Sequence, residues 1–155
     1  MENFPMFHKI LVPLDGSPEA ERALEPAREL ARAFQAELRL VTVEEMPEEP
    51  VPSEWELTLG GFLERKRQQV LENLERLAAT FRGHGHEVST AVLPLGPPVT
   101  RIREEARQGQ ADLIVLFSHG RSGLSRFLLG SVAERLTRNA PCPVMIVHHQ
   151  DWGSA

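Results

Sequence analysis

Residues 112–131 read DLIVLFSHGRSGLSRFLLGS, and this stretch decides the fold. The run Leu113-Ile114-Val115-Leu116-Phe117 follows a single acid, Asp112. A short apolar run closed by glycine and serine predicts a buried strand. The loop from Ser118 to Ser125 is rich in both residues. A helix is expected to begin near Gly130-Ser131 and to run past Leu136. Strand, loop and helix in that order are the parts of a βαβ unit.

The rest of the chain repeats the alternation. Ile10-Leu11-Val12-Pro13-Leu14 stops at Asp15-Gly16-Ser17 and predicts a first strand. Pro13 removes one ladder donor, so it belongs at the strand end or on an unpaired side. Ala20, Ala23, Leu24, Ala27, Leu30, Ala31 and Phe34 then recur at helical spacing. Ser17-Pro18 supplies a cap with proline at the first helical position, and Glu19 and Glu21 suit the first turn. Pro26 conflicts with this helix and predicts a bend or local break.

A second strand is expected over Leu38 to Val43. The acidic, proline-rich segment Glu44 to Ser53 reads as a loop of the kind that forms lids. A helix with Phe62, Val70, Leu74, Leu77 and Phe81 on its buried face follows, ending at Arg82-Gly83-His84-Gly85. Glu87 to Leu93 alternates as a third strand, and Gly96-Pro97-Pro98 opens a helix carrying Val99, Ile102 and Ala106. Pro143 to Val147 makes the last strand, and the tail from His148 is expected to fray.

Five strands alternating with helices predict an α/β domain with an open parallel sheet and helices on both faces. Ligands of such sheets bind beyond the carboxyl ends of the strands, where the strand order reverses. For strand order 3-2-1-4-5 that point lies between the first and fourth strands. Asp15 and the loop from Phe117 to Ser125 end those two strands, so two features distant in sequence meet at one cleft.

The bulk composition narrows the function classes. The chain has 155 residues and a mass of 17.4 kDa, which fits one domain over residues 1–150 with a short tail, 151–155. A net charge of −5 leaves no basic field for a nucleic-acid backbone. It does not disfavour a small phosphate ligand, which backbone N–H groups can hold. One cysteine, Cys142, excludes an intrachain disulfide and suits a reducing cytoplasm. No secretory signal is read at the start, and no apolar stretch is long enough to cross a bilayer.

A bound phosphate needs close backbone approach and open N–H donors. Gly120 and Gly123 allow the first; the helix start at Gly130-Ser131 provides the second. Asp15 suits a sugar hydroxyl, a base amine or a metal that accompanies phosphates. The same glycines also serve simply to turn the chain, with Ser131 as a cap. His119 lies in the loop, in reach of a phosphate. No nucleophile with an orienting partner stands beside it, so the residues predict a binding protein, not an enzyme. His84-Gly85-His86 lacks a third metal ligand. Arg121 and Arg126 read as solvated, Cys142 as a small packed hydrophobe, and Trp55 as a residue able to close over a ligand.

The chain resembles the universal stress protein family over essentially its whole length. The resemblance is carried by HKILVPLDGSPEAERAL at residues 8–24 and by ADLIVLFSHGRSGLSRFLLGSVAERLTRNAPCPVMIV at residues 111–147. It implies the 3-2-1-4-5 sheet of the adenine nucleotide α-hydrolase-like folds and ATP, with Mg²⁺ on its phosphates, as the ligand in stress signalling. The family's nucleotide-binding branch carries Gly, two residues, Gly, nine residues, then Gly and Ser or Thr. Here Gly120 falls on the second glycine and Gly130-Ser131 closes the motif. The resemblance puts Pro13, Asp15 and Val43 on the adenosine side and Gly120, Gly130, Ser131 and Val132 on the phosphate side. Leu116, Phe117 and His119 complete the candidate set. Phe117 stands where the signature has its first glycine. Its ring either obstructs the pocket, leaving a dimeric interaction module, or stacks on the base. The resemblance also implies a homodimer through Val144, Met145, Ile146 and Val147 at an apolar sheet edge.

Overall fold

The computed structural model describes residues 6–46, 59–118 and 130–148. Strand β1 (Lys9–Pro13) leads through a 3-10 turn (Ala20–Ala23) into α1 (Leu24–Phe34). Then come β2 (Glu37–Val43), α2 (Leu59–Arg82), β3 (Val88–Leu93), α3 (Pro98–Gln108), β4 (Leu113–Phe117), α4 (Ser131–Asn139) and β5 (Val144–Val147). All five strands are parallel, in the order β3-β2-β1-β4-β5. The expected topology is the observed one, and β1 and β4 are neighbours through Ile10 opposite Leu113.

Alternation along the strands divides the core into two layers. Ile10, Val12, Leu38, Leu40, Leu113 and Val115 face one side and pack against α1 and α2 through Ala27, Ala31, Leu74 and Phe81. Leu11, Val41, Ile114 and Leu116 face the other and meet α3 and α4 through Ile102, Ala106, Ala133 and Leu136. Cys142 packs half-buried against this second layer, and burial pushes its thiol up from the ordinary range.

Pro26 resolves differently from a bend. The expected single helix divides ahead of it, and α1 starts only at Leu24. Pro26 is therefore in the first turn, where its missing N–H has no intrahelical acceptor to lose. The tight 3-10 turn carries the chain from Ser17 to that start.

The two sheet edges are treated unequally. On β3, Arg82 donates from Nε and Nη2 to the Val88 carbonyl at 3.0 and 2.8 Å. Arg39 donates from Nη1 to the Thr90 carbonyl at 3.3 Å. Arg82 also donates to Glu75 at 2.8 Å and, with Thr90, holds that carboxyl below its usual range. Two acceptors of the β3 edge are thus occupied by guanidinium groups. At the other edge Met145 of β5 is 38% exposed, an apolar residue open on its strand. No helix among the described residues is long and apolar enough to cross a membrane.

Candidate functional site

The site is assembled where β1 and β4 end. Just past the end of β1, the Leu14 N–H donates to the Val41 carbonyl at 2.8 Å. The chain then turns at Gly16, whose φ of +83° is strained for any residue with a Cβ. This turn brings Ser17 back over Asp15. The Ser17 N–H donates to Asp15 Oδ1 at 2.9 Å and its hydroxyl donates to the same oxygen at 2.5 Å. The Ser17 Oγ also accepts from the Ala20 N–H at 3.2 Å, which caps the 3-10 turn. The expected cap thus bonds to the first residue of the 3-10 turn and does not cap α1, whose N-cap is Ala23. Asp15 is exposed at the rim. Its Oδ2 has no hydrogen-bond partner among the described residues, so one acceptor is held ready while the other is engaged.

β4 ends with Phe117. Strand parity turns its ring toward the α1 side, against the layer that holds Val12, Leu14 and Val115. The guanidinium of Arg22 lies over it, 5.7 Å from the ring centroid. Ser118 follows, 5% exposed. Its N–H donates to the Val147 carbonyl at 3.0 Å, and its hydroxyl lies 3.2 Å from His148 Nδ1. β5 therefore fixes the start of the loop. His119, Gly120, Gly123, Arg121 and Arg126 lie outside the described residues, as do Trp55 and positions 47–53 of the acidic loop.

Gly130 is the N-cap of α4, in an extended conformation, with no side-chain cap bond. The first intrahelical bond runs from the Glu134 N–H to the Gly130 carbonyl at 2.9 Å. The N–H groups of Ser131, Val132 and Ala133 therefore have no intrahelical acceptor. Amides in this position, with the helix dipole behind them, attract an anion.

These parts share one cavity of about 340 Å³, the size of a small-ligand pocket. Pro13, Leu14 and Asp15 line it from β1, and Leu116, Phe117 and Ser118 from β4. Gly130, Ser131, Val132 and Ala133 line it from α4. Val43, Val70 and Val92 form an apolar wall. Every described residue of the expected set thus borders the same space. Phe117 forms part of the cavity wall.

Several lining residues were not anticipated. Glu44 and Glu45 extend from β2, and Lys66 and Arg67 come from α2. Lys66 had a legible signal. It falls four residues after Phe62 and four before Val70, in the row of the apolar stripe. His84 and His86 lie away from the cavity, with His84 Nδ1 2.7 Å from the Thr80 carbonyl. No group of three or more metal-ligating side chains occurs among the described residues.

The fold and cavity define an open parallel α/β protein with a small-ligand site at its topological switch point. Comparisons give the family. The universal stress protein family matches residues 6–148. A universal stress protein of Methanocaldococcus jannaschii is 37% identical over 145 residues, covering 92% of this chain and 82% of the relative. One from Thermus aquaticus is 35% identical over 144 residues, covering 92% and 99%. Among solved structures, UspA from Lactobacillus plantarum superposes with a TM-score of 0.75 at 25% identity, covering 91% of this chain and 97% of that one. A universal stress protein solved in complex with cAMP gives 0.63 at 25% identity, covering 93% and 98%. This chain belongs to the universal stress protein family.

Proposed function

We propose that this protein binds ATP or a related adenine nucleotide as a signalling ligand in a stress response and does not turn it over as a substrate. One observation carries the reading: among the described residues, the helix start whose amides lack an intrahelical acceptor and the carboxylate with one unengaged oxygen border the same cavity. The amides of α4 suit phosphates. Oδ2 of Asp15 suits a hydroxyl or amine donor of the nucleoside. The wall of Val43, Val70 and Val92 suits a flat ring. The complex of a related family member with cAMP supports an adenine ligand. Mg²⁺ would be supplied with the phosphates and would neutralise their charge, and Asp15, Glu44 and Glu45 are the carboxylates of the cavity lining that could help to hold it. Among the described residues no general base stands beside the phosphate end, and on this reading ATP is a ligand whose effect rests on differential affinity for two states. A reducing cytoplasm is the compartment this reading implies, with Cys142 as a thiol.

The test is direct. Supernatant from the denatured protein is assayed for released nucleotide, and ATP–Mg²⁺ is titrated calorimetrically into the stripped protein. Binding below millimolar ATP is expected. Neither released nor titratable nucleotide at millimolar concentration would sink the reading. Phosphate release above the buffer rate would overturn the non-enzymatic part. The second reading, an interaction module without nucleotide, is favoured by one observation, the aromatic ring at a glycine position of the signature.

The same proposal includes a homodimer through β5. Guanidinium groups occupy two acceptors of the β3 edge, and Met145 is open on β5. An open apolar strand is the edge that pairs. Met145→Lys places like charges face to face across a two-fold axis and is expected to weaken the dimer at least about tenfold. Sedimentation velocity checks it, and an unchanged dimer places the interface elsewhere.

A further inference from the structure

We infer that Lys66 is a ligand-binding residue, a donor from α2 that meets an acceptor atom on the base of the bound nucleotide. The inference rests on the nucleotide reading above and adds to it a residue outside the family signature. Its starting point is a conflict in α2. Val70, Leu74, Leu77 and Phe81 form the stripe that packs toward the sheet, with Leu74, Leu77 and Phe81 buried, and the half-buried Phe62 continues the same row toward the helix start. Lys66 occupies a place in that row where an apolar residue would extend the core.

The structure shows what stands there instead. Lys66 is half-buried and borders the cavity beside Val70 and Val92. It forms no hydrogen bond or ion pair among the described residues, although Asp15, Glu44 and Glu45 border the same space. Its neighbours in sequence, Arg65 and Arg67, are exposed. Arg67 also borders the cavity but stays exposed, so Lys66 is the more withdrawn of the two cations that α2 brings to it. An ammonium half withdrawn from water, without a carboxylate partner among the described residues, is a donor set for a ligand in the cavity that it borders.

The topology says which end of the ligand it meets. α2 packs on β2 and β3, and α4 packs beside β5. These strands lie in opposite halves of the sheet, with β1 between β2 and β4. Lys66 therefore stands across the cavity from the α4 amides. If the phosphates take the amides, the base lies against Val43, Val70 and Val92, and its ring nitrogens are the acceptors in reach of α2. Asp15 Oδ2 and Lys66 then offer one acceptor and one donor to a single heteroaromatic ligand.

The experiment compares Lys66→Met and Lys66→Arg with the parent chain by calorimetry, using ATP, ADP and adenosine. Thermal melts are recorded beside them. Methionine suits both a helix interior and an apolar stripe, so the melting temperature is expected to hold or rise. Affinity for ATP and for adenosine is expected to fall alike, by about five- to twentyfold, because the lost contact is with the base. The ratio of ATP to ADP affinity stays constant, and arginine restores most of the loss. Unchanged affinity in Lys66→Met overturns the inference and leaves the nucleotide reading standing. A loss for ATP with none for adenosine also overturns it, because the ammonium then meets phosphate. If the parent chain binds none of the three, the nucleotide reading has failed and this inference with it.

Discussion

Phe117→Gly, which installs the residue the family signature has at that place, is expected to destabilise the protein and to weaken nucleotide binding. The half-buried ring packs against the layer built on Val12, Leu14 and Val115, with Arg22 over its face. Full truncation of a buried phenylalanine costs about 3–5 kcal/mol. Partial exposure lowers that figure, while lost cation–π contact and the entropy of glycine in a strand raise it. A net loss of about 2–4 kcal/mol is expected, read from urea unfolding at constant slope. The binding consequence follows from where the ring stands. Phe117 is wall between Leu116 and Ser118, and Leu116 turns to the opposite face. Its removal opens the floor under the nucleoside, so ATP affinity is expected to fall about threefold to tenfold. Affinity rising tenfold in Phe117→Gly would make the ring an obstruction and transfer support to the interaction-module reading.

The fold was legible because its strands are short apolar runs bounded by turn residues. Leu113 to Phe117 and Ile10 to Leu14 are bracketed by Asp112, Ser118 and Asp15-Gly16, and no helical period competes within them. Strand and helix alternation then left few topologies. The break before α1 was less legible. Spacing of Ala20 to Phe34 is continuous, and only backbone geometry decides that the first turn is 3-10 and that Pro26 follows it.

Half of the candidate site could be read in the same way. Asp15 follows the first apolar strand and Gly130-Ser131 open the helix that comes after the fourth, and the topology brings both to the switch point. The face chosen by Phe117 depended on which helices cover the odd-numbered residues of β4, a long-range fact that no local pattern holds. Lys66 left a mark in the sequence, but its meaning depended on long-range structure in the same way. A lysine in an apolar row reads as an interruption until the cavity beside it is known. His119 and Gly120 lie outside the described residues, so the phosphate half rests on Gly130, Ser131 and Val132.

Asp15→Asn is expected to abolish more binding than its near-isosteric shape suggests, and the reason lies in Ser17. Both Ser17 donors converge on Oδ1 of Asp15. An asparagine is expected to present its carbonyl to them, because the backbone N–H can only donate and the hydroxyl already donates in the same direction. The NH₂ group is then forced into the place of Oδ2 and meets the ligand's own donor. A charge-assisted hydrogen bond of about 1.5–3 kcal/mol is replaced by a donor–donor clash. A loss of ATP affinity of about thirtyfold or more is expected, at least as large as for Asp15→Ala. Ser17→Ala by itself should weaken binding less, because Oδ2 survives with a looser carboxylate. Combined with Asp15→Asn it removes the hydroxyl donor and leaves only the N–H at 2.9 Å to set the amide's orientation. The amide then flips more easily, and the double variant is expected to regain part of the affinity lost by Asp15→Asn. Contacting residues of this kind show such non-additivity in a double-mutant cycle. Losses that simply add would mean that Ser17 does not govern which oxygen Asp15 offers. Full affinity in Asp15→Asn would mean that this carboxylate faces no donor of the ligand at all.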